Sequence, residues 1–240
     1  MNLILDAFAW LSDPTAWSGP TGVWWRTVQH LGVTGLVVLL ACLIALPIGI
    51  AIGHTGRWRN EVTLATGAVR AVPTLGVLTL LGLWLGIGLA APVIALLVLA
   101  IPPMLAGTYS GIASANPTTV DGARAIGLTE AQIVSQVELP AALPIIMGGL
   151  RSTVLQVIAT ATLAAYTADV GLGRFLYTGL KTRDYGQMIG GAIVIVVLAL
   201  VCDLILARCQ SALTRRADPS VSARPSASSS TRSDSEGAFA

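Results

Sequence analysis

Side chains able to make or break bonds are few in this sequence, and their spacing argues against catalysis. His30 and His54 stand at opposite ends of one apolar stretch, too far apart to share a metal or relay a proton. Cys42, Cys202 and Cys209 have no metal-like or redox spacing and read as small hydrophobes in or beside apolar stretches. The sequence carries no G-x4-G-K-[ST] loop, no H-E-x-x-H and no C-x-x-C. No catalytic, cofactor-binding or metal-ligating residue is therefore assigned. Two kinds of chemistry remain. Thr153, Gln156, Thr160 and Thr167 fall close to one face of a predicted helix. Their neutral dipoles could line the path of a zwitterionic solute without trapping it on a fixed charge. The same residue types also tie membrane helices together by hydrogen bonds, and both readings stay open.

The second kind is docking. Residues 116–140 read NPTTVDGARAIGLTEAQIVSQVELP. Asn116 can cap a helix with Pro117 at its first position, and Gly127 can end that helix in a left-handed turn. Thr129 with Gln132 forms a capping-box pattern that starts a second helix, whose apolar face is Ile133, Val134 and Val137. Pro140 is expected to stop it. The result is a helix–glycine–helix elbow. Its apolar face packs either on its own spans or in a groove of another protein.

The elements that must carry these residues follow from composition. Of 240 residues, 54% are hydrophobic and 11% charged, and the mean hydropathy is +0.77. Soluble domains carry roughly 25% charge, so a water-soluble enzyme is excluded and an integral membrane protein is expected. Asp, Glu, Lys and Arg are absent from 31–53, 71–120, 152–168 and 185–202. A crossing helix needs about 20 residues, and 71–120 can hold two, so about five transmembrane helices are predicted. Their expected ranges are 28–53, 62–88 (broken or tilted at Pro73), 92–112 (kinked or opened at Pro102–Pro103), 144–166 and 188–207. Residues 1–27, with Trp10, Trp17, Trp24 and Trp25, read as an interfacial entry. Residues 28–210 form the membrane domain. Residues 211–240, rich in serine and arginine, read as a disordered tail.

Basic residues gather in the 54–61 loop, the elbow and the tail, which places those segments in the cytoplasm, the N-terminus outside and the C-terminus inside. Arg174, Lys181 and Arg183 weigh the other way. The loop 167–187 is read as a short external helix or a solvated loop. Arg70 either snorkels or meets the elbow, Arg151 anchors the inner leaflet, and Asp203 forms an interfacial ion pair, with Arg208 five residues on. Four G-x3-G pairs (Gly49/Gly53, Gly82/Gly86, Gly107/Gly111, Gly186/Gly190) allow close helix approach without choosing an interface. A net charge of +2 gives no reason to expect nucleic acid as a partner.

The elbow resembles the loop E-A-A-x3-G-x9-I-x-L-P of permease subunits in binding-protein-dependent ABC importers. Asp121-Gly122-Ala123 takes the E-A-A place, Gly127 follows at the family spacing, and Val137, Leu139 and Pro140 complete it, with Asp for Glu, Gly for Ala and Val for Ile. The likeness extends over about residues 20–210. Its nearest branch is similar to osmoprotectant permeases for glycine betaine, carnitine, choline or proline, through RAVPTLGVL (70–78), IPPMLAGTYSGI (101–112) and LRSTVLQVIATATLAAY (150–166). Ala168-Asp169-Val170 departs from a segment that the family keeps small and glycine-rich. The resemblance implies a non-enzymatic transport subunit in the cell membrane. Its implied partners are lipid, a separate cytoplasmic ATP-binding subunit, an external solute-binding protein, and a second copy or a related permease. It also implies that Asp121, Ala123, Gly127, Ile133, Val137, Leu139 and Pro140 couple the chain to the ATPase. An amino-acid importer of the methionine type, a channel that works without ATP and an intramembrane enzyme are the alternatives; the last would need a cluster of His, Asp or Glu within the spans.

Overall fold

The charge-free stretches are helices in the computed structural model, which describes residues 2–217. In chain order they are α1 (Leu3–Ser12), the single turn α2 (Pro14–Trp17), α3 (Val23–Thr55), α4 (Arg59–Ala71), α5 (Thr74–Leu85), α6 (Ala90–Ala113), α7 (Pro117–Ala125) and α8 (Glu130–Ile133). A π segment (Val134–Glu138), α9 (Leu139–Thr160), a 3-10 segment (Ala161–Tyr166), α10 (Gly173–Thr182) and α11 (Tyr185–Ala217) follow. Among the described residues, α3, α6, the run from Glu130 to Tyr166, and α11 are long and apolar enough to cross a membrane. A fifth crossing is present if α4 and α5 count as one bent span. The fold is thus all-α and multi-pass, with four or five crossings.

The bend falls where the sequence places it. Val72 is extended (φ -72°, ψ 126°) ahead of Pro73, because the proline ring disfavours helical geometry in the residue before it. Pro102 and Pro103 do not open the helix. They are buried inside an α6 that runs without interruption from Ala90 to Ala113. α3 and α9 pack on this helix from both sides, and proline is tolerated in membrane helices that are buried in protein.

Helix α6 lies at the centre, between α3 and α9; α11 packs on the far side of α9, with α1 and α10 against it. Val37, Ala41, Leu96, Ala100 and Val157 form one core cluster, and Ala45, Met104, Ile112 and Ala142 another. Lipid tails are as apolar as these side chains, so van der Waals fit rather than water release holds the helices together. Three of the four G-x3-G pairs supply that fit within the chain. Gly49 and Gly53 meet Thr108 and Ile112 of α6, and Gly107 and Gly111 meet Gly149 and Ala142 of α9. Gly186 and Gly190 receive Asp6 and Trp10 of α1. Trp10 also meets Phe175 edge-on, with ring centroids 5.2 Å apart. The N-terminal segment is therefore a helix docked on α11, and α3 begins at Val23, inside the stretch read as an entry.

A second boundary and one pairing are also corrected. Helix α11 continues to Ala217, seven residues into the segment expected to be disordered. The rest of that tail and the side chain of Arg70 lie outside the described residues. Asp203 pairs with Arg151 of α9 rather than with a residue on its own helix: the guanidinium grips both carboxylate oxygens, Nη2 donating at 2.7 Å. This bidentate contact ties α9 to α11. Asp203→Asn should lower the thermal midpoint in detergent by ~2–4 °C. Exchanging the two residues should recover part of that loss, and no recovery would show that α9 and α11 do not depend on this pair.

Candidate functional site

The elbow is built almost wholly from local signals. The Asn116 side chain accepts the Thr118 N–H at 2.9 Å, with Pro117 opening α7. Gly127 has φ +90°. Its N–H donates to the Arg124 carbonyl, and the Leu128 N–H donates to that of Ala123, at 3.0 and 3.1 Å. These paired bonds close a helix through a left-handed glycine. The Gln132 N–H donates to Thr129 Oγ1 while the Thr129 N–H donates to Gln132 Oε1, which completes the capping box.

Where the elbow puts its apolar residues changes their meaning. Val120, Ala123 and Ile133 are buried together, with Ala115, Leu128 and Val137 around them. α7 therefore covers Ile133 fully and Val137 in part, and Val134 stays half-buried outside this cluster. Leu139 packs with Ile52 and Ala142 in the transmembrane core. Asp121 is exposed and lies 3.2 Å from Arg124. The large apolar side chain the elbow leaves uncovered is Ile126, 79% exposed, beside the turn at Gly127.

Pro140 does not stop the second helix. It lies in the first turn of α9, after the π segment in which the Leu139 N–H reaches back to the Val134 carbonyl. A proline lacks the helix N–H and crowds the carbonyl four residues earlier. The wider turn lets the chain continue past it.

An ionic network joins the elbow to the cytoplasm-assigned end of α3. His54 Nδ1 lies 2.8 Å from Glu138 and Nε2 lies 3.1 Å from Glu130. Arg124 donates to both oxygens of Glu130 and to Asp121. These bonds hold the Glu130 carboxyl below its ordinary value and raise the Arg124 guanidinium above its own. Sequence reading missed this network, since nothing local tells that His54 meets a residue 84 positions away.

A second network closes the opposite end of α3. Arg26, only 5% exposed, donates to the Asp169 carboxylate at 2.8 Å, to its carbonyl at 2.7 Å and to Gln29 at 3.0 Å. Gln29 accepts the Gly171 N–H, and Arg174 lies 2.9 Å from Asp169. Asp169, the departure from the family segment, is the hub that fixes this loop. Helix α10 follows and packs on α11, the helical one of the two readings left open for this loop.

The four candidate pathway residues differ in exposure and partners. Thr153 is fully buried and donates to the Gly149 carbonyl; Thr160 donates to that of Gln156. Gln156 is half-buried, and among the described residues no hydrogen bond holds its carboxamide. Thr167 lines a hollow of about 310 Å³ with Gly82, Tyr166, Asp169 and Arg174.

Residues 45–219 match the family described as the binding-protein-dependent transport system inner membrane component. The chain is 32% identical to the choline transport system permease protein OpuBB of Bacillus subtilis, over 79% of this chain and 88% of that protein. It is 33% identical to the carnitine transport permease protein OpuCB of Listeria monocytogenes, over 80% and 88%. It is 34% identical to the osmoprotectant import permease protein OsmW of Salmonella typhimurium, over 78% and 90%. The fold is similar to that of an inward-facing MetNI methionine ABC transporter, with a TM-score of 0.70, 24% identity, and coverage of 85% of this chain and 100% of that one. An amino-acid ABC transporter with histidines gives a TM-score of 0.59 at 20% identity, over 79% and 91%. The chain belongs to the family of binding-protein-dependent transport system inner membrane components, and is a multi-pass membrane permease subunit of an ABC importer, a transport subunit rather than an enzyme.

Proposed function

We propose that this subunit carries a small zwitterionic or quaternary-amine osmoprotectant into the cell. Identity above 30% to choline, carnitine and osmoprotectant permeases over about four-fifths of the chain carries this reading. Likeness to the two amino-acid transporters lies below 25% identity and concerns the fold. The elbow faces the cytoplasm, the N-terminus lies outside and the C-terminus inside, on the distribution of basic residues. A separate ATP-binding subunit meets the elbow, an external binding protein delivers the solute to the end where Asp169 sits, and a second permease completes the pore.

The contact with the ATPase is drawn more narrowly than the motif suggests. Asp121, Gly122, Ala125 and Ile126 are exposed, whereas Ala123, Ile133 and Val137 are packed inside the elbow. The first group touches; the second, with Gly127, Leu139 and Pro140, holds the shape. The half-buried Gln156 is the member of the polar stripe free to meet solute, with Thr160 and Thr167 beyond it.

Uptake of labelled betaine, carnitine, choline, proline and methionine by cells lacking this chain, with and without the gene restored, tests the assignment. Restored uptake of a quaternary amine is expected, and restoration of methionine alone would overturn it. Gln156→Leu should reduce uptake by at least about fivefold with the chain still assembled. Failed assembly without a selective transport loss would make Gln156 a packing residue.

A further inference from the structure

The elbow is not joined to α9 by regular helix. The π segment Val134–Glu138 stands between them. A π turn is a wide, locally weaker stretch of helix, and such turns recur at functional positions. Left alone, it is a place where the elbow could bend without moving the span behind it.

His54 bridges that segment from outside. Its Nε2 lies 3.1 Å from Glu130, which precedes the π turn, and its Nδ1 lies 2.8 Å from Glu138, which ends it. The side chains of Glu138 and His54 are 7% and 15% exposed. A carboxyl group this enclosed needs a hydrogen-bonding partner, and among the described residues His54 is the side chain that meets it, 2.8 Å away. Glu130 is held in turn by Arg124, and Arg124 by Asp121. One line of charge therefore runs from the exposed face of α7, across the π turn, to the last turn of α3. On the other face of that helix end, Gly53 lies against Tyr109 and Ile112 of α6.

We propose that His54 is a positioning residue that staples the π turn, so that elbow, α9 and the end of α3 move as one body when the elbow is displaced. This rests on the reading of the elbow as the ATPase contact. Without the staple, displacement of α7 is absorbed at Val134–Glu138 and reaches the spans weakened. An ordinary exposed ion pair contributes too little to do this; the enclosed Glu138 is what makes His54 a fixed point.

The test uses the assembled complex of permease, ATPase and binding protein in proteoliposomes, and reads ATP hydrolysed per labelled betaine imported. His54→Gln keeps a polar side chain of similar size but loses the two ring nitrogens that meet Glu130 and Glu138. The ratio should rise at least about fivefold, the lower end of a coupling between distant sites. His54→Arg keeps a positive donor and should stay within about twofold of wild type. Should His54→Gln fail to assemble, Glu130→Gln, on an exposed side chain, should still raise the ratio about twofold. A wild-type ratio in both neutral variants, or an equal rise in His54→Arg and His54→Gln, overturns the staple. If wild type imports and Gly127→Pro uncouples while His54→Gln behaves as wild type, the staple alone falls. If Gly127→Pro also imports with the wild-type ratio, the reading of the elbow falls with it.

Discussion

Gly107→Val should sharply lower the recovery of folded chain. A Cβ at this position would stand 2.6 Å from the Cα of Gly149 and 3.1 Å from its nitrogen. The reverse substitution meets the same wall, since a Cβ on Gly149 would lie 2.9 Å from the Cα of Gly107 and 3.2 Å from the Pro103 carbonyl oxygen. All these atoms are backbone, so no side chain can rotate away, and α6 and α9 must separate. Overpacking costs about 1–3 kcal/mol, and a clash of two rigid helices belongs at the upper end or above it. A loss of ~3 kcal/mol shifts a folding equilibrium about 100-fold. It falls on the central helix, against which α3 and α9 both pack. The measurement is the recovery of monodisperse protein in detergent. Gly32→Ala is the control: Gly32 lies on an exposed face of α3 with nothing within 4 Å of its added Cβ, so recovery should equal wild type. Wild-type recovery of Gly107→Val would mean that α6 and α9 do not meet at these glycines.

That contact marks how far the amino-acid sequence can be read. The Gly107/Gly111 pair is visible as spacing, and spacing says that something comes close. It does not say whether the visitor is a helix of the same chain, a second copy or lipid. The partner, Gly149, lies on a later span and has no mark of its own. The crossings were legible because loss of charge over about 20 residues is a local property with one physical cause. The break at Val72–Pro73 and the caps at Asn116, Gly127 and Thr129 were legible for the same reason: each is written within a few residues. Pro140 was misread because its local effect is to stop a helix, and only the wider π turn before it lets the chain continue. Asp203 was assigned a neighbour on its own helix, but its partner, Arg151, lies 52 positions earlier. His54 with Glu138, and Arg26 with Asp169, are long-range pairs of the same kind. In each, the residue types signal that a partner is needed, and the fold alone supplies it.

The elbow shows the complementary limit. Its helices, turn and caps were predicted, yet the apolar face was left open between the chain's own spans and another protein, and the cover that α7 supplies was not weighed. Ile133 is fully buried, against Val120 and Ala123. An i, i+3, i+4 stripe reports that a helix face is covered and is silent on what covers it. A charge placed at Val137 would therefore act by loosening the elbow's own core, with coupling lost as a consequence.

Gly127→Pro should separate shape from stability, because the elbow can fail while the spans stay folded. Gly127 has φ +90° and nothing within 4 Å of an added Cβ, so the effect of any substitution is conformational and not steric. Proline holds φ near -65° and removes the N–H that donates to the Arg124 carbonyl. The left-handed turn cannot form, and α7 cannot fold back over Ile133. Alanine keeps the N–H and costs about 1–2 kcal/mol in this region; asparagine tolerates it better. Uptake should therefore fall in the order Asn, Ala, Pro, with Gly127→Pro losing about tenfold or more, as expected for a coupling of ~1.4 kcal/mol or above. Thermal midpoints of the detergent-extracted variants should stay close to wild type, because the clusters that hold α3, α6 and α9 contain no elbow residue before Leu139. ATP hydrolysis by the assembled complex should persist without matching uptake in the proline variant. Two results would count against this account. Wild-type uptake by Gly127→Pro would remove the elbow from coupling. An order that follows side-chain size instead of tolerance for positive φ would show that residue 127 acts through a contact with the ATPase and not through the turn.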